Sequence, residues 1–190
     1  MSSRPLYISL LLFAIYSLIL LTLSFINYSI IKTVLLWIAG LLLFTFVEYL
    51  FHRFFFHMEP KGPVKNKVQY AIHGNHHAKP NEATTIMMKP LIAITAIVFT
   101  TLLFYGLFGL YVLAVLPGFL TGYCAYLFIH FAIHTYKPPK SFLRLLWRQH
   151  NLHHYNDDSK NFGVSSPLWD VIFKTYCGSK TNKQKTETVL

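Results

Sequence analysis

A chain of 190 residues is about the length of one domain. Its 54% hydrophobic content and mean hydropathy of +0.42 exclude an ordinary soluble domain. The net charge of +10 raises nucleic acid as a partner, but no soluble motif presents a basic face, so that class is set aside.

The predicted elements are helices that cross a bilayer. Leu6 to Ile26 is uncharged and long enough to span about 30 Å of hydrocarbon. It lacks a small-residue cleavage site, which marks it as a retained anchor. A second span runs from about Thr33 to Leu50. A third and a fourth share the apolar stretch from Leu91 to His134, with breaks expected near Phe108-Gly109 and at Pro117-Gly118. Gly118 and Gly122 form a small-xxx-small pair suited to close helix packing. Residues 1–178 thus form one membrane domain, and the polar, aperiodic stretch 179–190 is expected to be a disordered tail.

Charge placement orients these spans. Of 17 Lys and Arg, six lie from Arg53 to Lys89, nine lie from Lys137 onward, and Arg4 precedes the first span. Only Lys32 falls on the other side, so the positive-inside pattern puts both termini and both large polar segments in the cytoplasm. The cations then meet the headgroups of membrane lipids. Cys124 and Cys177 are not expected to pair.

All ten histidines fall into four groups: His52 and His57; His73, His76 and His77; His130 and His134; His150, His153 and His154. Spacings of three and four put rings on one helical face. His52 and His57 are five apart, about 140° on a regular helix, so His57 is expected past the helix end or at a distortion. His130 and His134 alone would read equally well as a packing pair. Four groups at cytoplasmic helix ends read as a metal site. Ten imidazoles exceed one tetrahedral ion and suit two ions with about five ligands each. With seven acidic residues in the chain, and Glu48, Glu59 and Asp170 taken as those near the clusters, the site is almost wholly imidazole. Such ligands suit iron, zinc and copper, and zinc can replace iron during overexpression.

The spacing H-x4-H, H-x2-HH, H-x3-H, H-x2-HH resembles the fatty acid hydroxylase and sterol desaturase superfamily. "HGNHHAKP" from His73, "MMKP" ending at Pro90 and "NFGVSSPLWDVIFKTY" from Asn161 look like its fatty acid 2-hydroxylase branch. The resemblance covers about Glu48 to Tyr176. It implies an all-α integral membrane protein with four transmembrane helices under a cytoplasmic helical cap, in which the ten histidines ligate two metals, iron in the active enzyme. Two positions depart from the branch pattern: Asn161 stands where Gly is frequent, and Lys174 interrupts a run that usually reads Phe-Gly-Thr-Tyr. The branch often carries a cytochrome b5 domain ahead of its membrane part. Only five residues precede the first span here, so a separate electron donor is expected, such as cytochrome b5 or ferredoxin with its reductase.

The expected reaction is O₂-dependent hydroxylation of a lipid acyl chain at its 2-position, in a fatty acid or a sphingolipid N-acyl chain. That carbon lies beside the carbonyl, near the headgroup, where interfacial ligands can reach it. Asp170 could accept a hydrogen bond from a ligating ring or cap a helix starting near Val171. Glu48, four residues before His52, could support a ligand in the same way, and Asn151 and Tyr155 could orient a ligand or the substrate head. The membrane is that of the endoplasmic reticulum in a eukaryote and the inner membrane in a bacterium. A metal transporter would place ligands at mid-bilayer. A zinc hydrolase would show HExxH, which His57-Met58-Glu59 is not. A sterol, carotenoid or desaturating relative shares the histidine scheme.

Overall fold

Hydrocarbon offers the backbone no hydrogen-bond partners, so an apolar chain closes its bonds within helices. The computed structural model describes residues 4–58, 62–86 and 88–178. Their regular structure is helical: α1 (Arg4–Asn27), α2 (Ile30–Leu50), α3 (Pro63–Gln69), α4 (Asn75–Ala78), α5 (Ala83–Ile86), α6 (Pro90–Phe108), α7 (Val112–Thr135), α8 (Arg144–Tyr155) and α9 (Leu168–Ile172). Glu59 and the expected tail 179–190 lie outside the described residues. Among the described residues, three helical stretches are long and apolar enough to cross a membrane: Arg4–Asn27, Ile30–Phe56 and the 46-residue Pro90–Thr135.

The chain divides into two compact units, Met1–Phe46 with Glu82–Phe131, and Val47–Asn81 with Ala132–Leu190. In the first unit, α1 buries Leu6, Ser9, Phe13, Ser17, Leu20 and Ser24, a three-four spacing that makes one face. Ser9 Oγ donates to the Met88 carbonyl at 2.9 Å, and Tyr16 meets Thr101 at 2.8 Å, so α1 and α6 run parallel. Ser17 Oγ reaches the Pro117 carbonyl at 3.1 Å while Phe13 packs edge-on against Tyr123, which makes α7 antiparallel to α1. The 46-residue stretch is therefore a hairpin. It turns at Gly109, whose φ of 56° suits a residue without a Cβ.

The break expected at Pro117-Gly118 does not occur, for Pro117 lies inside α7. Apolar membrane helices tolerate proline. The missing N–H frees the Leu113 carbonyl one turn back, and the Pro117 carbonyl accepts from the Ser17 and Thr121 hydroxyls. The following glycine brings two backbones together: a Cβ on Gly118 would sit 1.9 Å from the Trp37 carbonyl oxygen, and one on Gly40 would sit 2.0 Å from that of Val115. Gly122 receives the Phe44 ring. The small-xxx-small pair thus has a reciprocal partner, Gly40, on α2.

In the second unit, α8 is amphipathic: Leu146, Trp147, Gln149, His150 and His153 are buried, whereas Arg144 and Arg148 are exposed. The Trp147 indole donates to the Tyr136 carbonyl at 3.0 Å, tying α8 to the residue just past α7. Helix α9 ends with Lys174 at φ 59°, its N–H on the Val171 carbonyl and the Thr175 N–H on that of Asp170. This is a Schellman ending, whose left-handed position normally holds glycine. Asn161 also has positive φ, 56°, and its side-chain amide pairs in both directions with the Cys177 backbone. Both departures from the family pattern are therefore left-handed residues.

Candidate metal centre

The first histidine pair depends on a distorted helix. Beyond α2 the chain continues as a π-helical turn, Phe51–Phe56, and the His57 N–H donates to the His52 carbonyl at 3.2 Å. Five residues then complete one wide turn, which brings His52 and His57 to the same side, as such bulges do at functional sites. A second π-helical turn, Tyr70–Gly74, carries His73 into α4 with His76 and His77. Helix α7 supplies His130 and His134 one turn apart, and α8 supplies His150, His153 and His154.

The rings sort into two groups of five. His52, His57, His73, His77 and His153 offer nitrogens that all lie within 4.8 Å of one another, and so do His76, His130, His134, His150 and His154. The groups adjoin: His76 and His77 are consecutive, and the His77 ring stacks on His154 with centroids 4.2 Å apart. In the first group Nε2 faces Nε2, at 3.1 Å between His52 and His73, 3.0 Å between His77 and His73, and 3.0 Å between His153 and His57. In the second group His150 Nε2 lies 2.9 Å from His134 Nε2 and 3.0 Å from His154 Nε2.

Tautomers decide what those nitrogens can do. The His52 Nδ1–H donates to the Phe162 carbonyl at 2.5 Å and the His153 Nδ1–H to the Lys160 carbonyl at 2.7 Å. A neutral imidazole has a single N–H, so the Nε2 atoms of both rings carry lone pairs into the cluster. A cation placed among such inward-facing nitrogens would take several lone pairs at once. The residues therefore fit metal ions, with the outer nitrogen anchored as ligating histidines require.

Burial opposes protonation of the rings on the loops and α8. It pushes the His57 imidazole down to about 4, helped by His77 and opposed by the Asp158 carboxylate. It holds His76 at about 3, with His134 and His77 adding to the effect. His73, His77, His153 and His154 are lowered by the same burial. Unprotonated rings are the form that binds metal.

The supporting residues act on loops rather than on rings. Buried Asp170 accepts the Phe162 N–H at 2.9 Å, the Gly163 N–H at 2.7 Å and the Thr175 hydroxyl at 2.7 Å. It thus reaches His52 through the Phe162 peptide, with no direct ring contact. It does not cap α9 either, since it sits in the first turn of a helix that begins at Leu168. Glu48 accepts the N–H groups of Val164 and Ser165 at 2.7 and 2.8 Å and also the Ser165 hydroxyl. Asn151 is half-buried, and exposed Tyr155 lies beside His154 with ring centroids 5.9 Å apart. Three features escape a reading of the sequence. The Phe162 and Lys160 carbonyls carry no residue signature, and Gln149 is buried in the same face of α8 as His153. Asp158 was not among the acidic residues expected near the clusters, yet its carboxylate stands 4.0 Å from His57 Nδ1; its place four residues after His154 was the available signal.

Residues 37–175 match the fatty acid hydroxylase family. The chain belongs to that family. This fatty acid hydroxylase family member is 31% identical over 157 residues to a dihydroceramide fatty acyl 2-hydroxylase of Arabidopsis thaliana, a match over 78% of this chain and 63% of that protein. It is 34% identical over 152 residues to the fatty acid 2-hydroxylase of Mus musculus, covering 74% and 39%. It is 35% identical over 147 residues to the ceramide very long chain fatty acid hydroxylase of Saccharomyces cerevisiae, covering 75% and 38%. A solved structure of full-length scs7p, with only its hydroxylase domain visible, superposes with a TM-score of 0.78 at 30% identity, over 86% of this chain and 63% of that one. The chain thus spans less than two thirds of these relatives' length.

Proposed function

We propose that this chain is a four-span membrane oxygenase that hydroxylates the 2-position of a lipid acyl chain, in a fatty acid or a sphingolipid N-acyl chain. The observation that carries the reading is the gathering of ten imidazoles into two adjoining groups of five, in a chain of the fatty acid hydroxylase family. Each group is the site of one metal ion, iron in the working enzyme, although the same rings accept zinc. A bound iron pair supplies the redox chemistry with O₂ that an unactivated C–H bond demands and that zinc lacks. The balance is one O₂, two electrons and two protons consumed, with one oxygen entering the C–H bond and the other leaving as water. A separate donor, such as cytochrome b5 or ferredoxin with its reductase, provides the electrons.

The protein's own work is positional. His52 and His153 hold their Nε2 lone pairs inward because backbone carbonyls hold their Nδ1–H outward. Helices α1, α2, α6 and α7 are the four spans, and the basic segments put both termini in the cytoplasm. The metal-bearing cap then sits at the interface where the carbonyl end of a lipid chain lies. Lipid mass spectrometry of cells with and without the gene tests the reading. A gain of one oxygen at the acyl 2-position is expected, and desaturation or no change would redirect it. Elemental analysis should find two metal equivalents, and His153→Ala should abolish turnover and release metal from the first group.

A further inference from the structure

The loop from α7 to α8 and the outer face of α8 carry side chains that the metal centre does not use. Residues 136–155 include four Lys or Arg, namely Lys137, Lys140, Arg144 and Arg148, and no Asp or Glu. Among the described residues neither Arg144 nor Arg148 forms an ion pair. With Ser141, Phe142 and Leu145 these two arginines line an open cavity of about 530 Å³, the size of a small-ligand site. Phe142 is 86% exposed, the most exposed large apolar side chain among the described residues. Arg144 and Arg148 lie one turn apart on the exposed face of α8, whereas His150 and His153 belong to its buried face. The cavity is therefore across the helix from the metal rings.

Its place in the chain shows what covers it. Helix α7 belongs to a stretch apolar enough to cross a membrane and ends at Thr135, and Trp147, which precedes Arg148, donates its indole N–H to the Tyr136 carbonyl at 3.0 Å. The first turns of α8 are thereby held at the end of the span, the level of the lipid headgroups. Guanidiniums without carboxylate partners take phosphate in paired hydrogen bonds, and an exposed phenylalanine gains by entering hydrocarbon. A free phosphate would leave Phe142 in water, and an acidic protein surface would set it against charge. An amphiphile meets both needs.

We propose that this cavity binds an anionic phospholipid of the bilayer, its phosphate on Arg144 and Arg148 and its acyl chain against Phe142 and Leu145. The lipid is an anchor for the cap and not the substrate, since α8 separates it from the histidines. Two uncompensated positive charges favour a headgroup of net negative charge over a zwitterionic one. Such binding requires α7 to be a span but no turnover, so its failure would leave the hydroxylase reading untouched.

The test is an equilibrium titration of full-length, metal-loaded protein in detergent, read by native mass spectrometry. The probes are phosphatidylglycerol, phosphatidylcholine with the same chains, and glycerol phosphate. Phosphatidylglycerol is expected to bind about tenfold or more tighter than either of the others. Arg144→Gln combined with Arg148→Gln should weaken it about tenfold or more and leave phosphatidylcholine within about twofold. Phe142→Ser should weaken both lipids about tenfold and leave glycerol phosphate unchanged. Lys65→Gln combined with Lys67→Gln removes the same charge from exposed positions on α3 and should change phosphatidylglycerol binding by less than about twofold. Metal content and melting temperature should hold in every variant, because the replaced side chains are exposed. Equal loss in the lysine variant would mean diffuse attraction and overturn the proposal, and so would undiminished phosphatidylglycerol binding by the arginine variant. Glycerol phosphate binding as tightly as the lipid would make this a free-phosphate site. Weakened binding of cytochrome b5 with lipid binding intact would make it a protein-docking face, and metal loss with a lower melting temperature would make the arginines structural; each of these also overturns the proposal.

Discussion

The Phe162 carbonyl holds the His52 ring by its Nδ1–H at 2.5 Å, and the Phe162 N–H is in turn held by Asp170 at 2.9 Å. One peptide unit thus links a buried carboxylate to an imidazole of the proposed metal site. Replacing Asp170 by Ala strands the Phe162 and Gly163 amides and the Thr175 hydroxyl, a loss of about 3 kcal/mol or more. If the proposed metal site holds, elemental analysis should then show preferential loss of the ion assigned to the group containing His52 and His153, with the second group still loaded. Equal loss from both groups would contradict this linkage.

Acid should weaken the metal-free fold. Unfolded, these imidazoles take up protons near pH 6.5, whereas in the fold His57 resists until about 4 and His76 until about 3. Below pH 6.5 the unfolded state binds more protons, so stability falls with pH from there toward 4. Thermal unfolding of chelator-stripped protein should give a melting temperature that is flat above about pH 7 and falls on acidification. A melting temperature that rises on acidification would reverse the sign.

Lys174 and Asn161 share left-handed backbone but should respond oppositely to glycine. Lys174→Gly relieves the strained ending of α9 and should stabilise by about 1 kcal/mol. Asn161→Gly relieves the same kind of strain but deletes both bonds to Cys177, and should destabilise by about 1 kcal/mol. Paired melting curves of the two variants check the contrast.

Gly40→Ala should drive α2 and α7 apart, because the new methyl would sit 2.0 Å from the Val115 carbonyl oxygen. A loss of about 2 kcal/mol or more is expected. Gly106→Ala is the control: nothing lies within 4 Å of its Cβ position, and helix propensity favours alanine by about 1 kcal/mol. Thermal scans in detergent should move in opposite directions for the two.

The helices and the histidine groups were legible because hydropathy and three-four spacing are one-dimensional signals. The wide turn that aligns His52 with His57 was foreshadowed by a spacing that no regular helix could use. Pro117 misled because a proline is read as a break, whereas a membrane helix tolerates one inside it, and α7 runs through it. The sorting of rings into two fives was not legible, since neighbours such as His76 and His77 go to different groups. Nor were the Phe162 and Lys160 carbonyls, which every residue possesses and only folding aims.

The run Phe51–Phe56 shows which changes the motif can absorb. Exchanging one phenylalanine for another apolar side chain leaves the helical phase intact, whereas deleting Phe54, Phe55 or Phe56 shortens the His52–His57 spacing from five to four and leaves the wide turn one residue short. Descent can rewrite the letters of this stretch, but its residue count is a fixed gear.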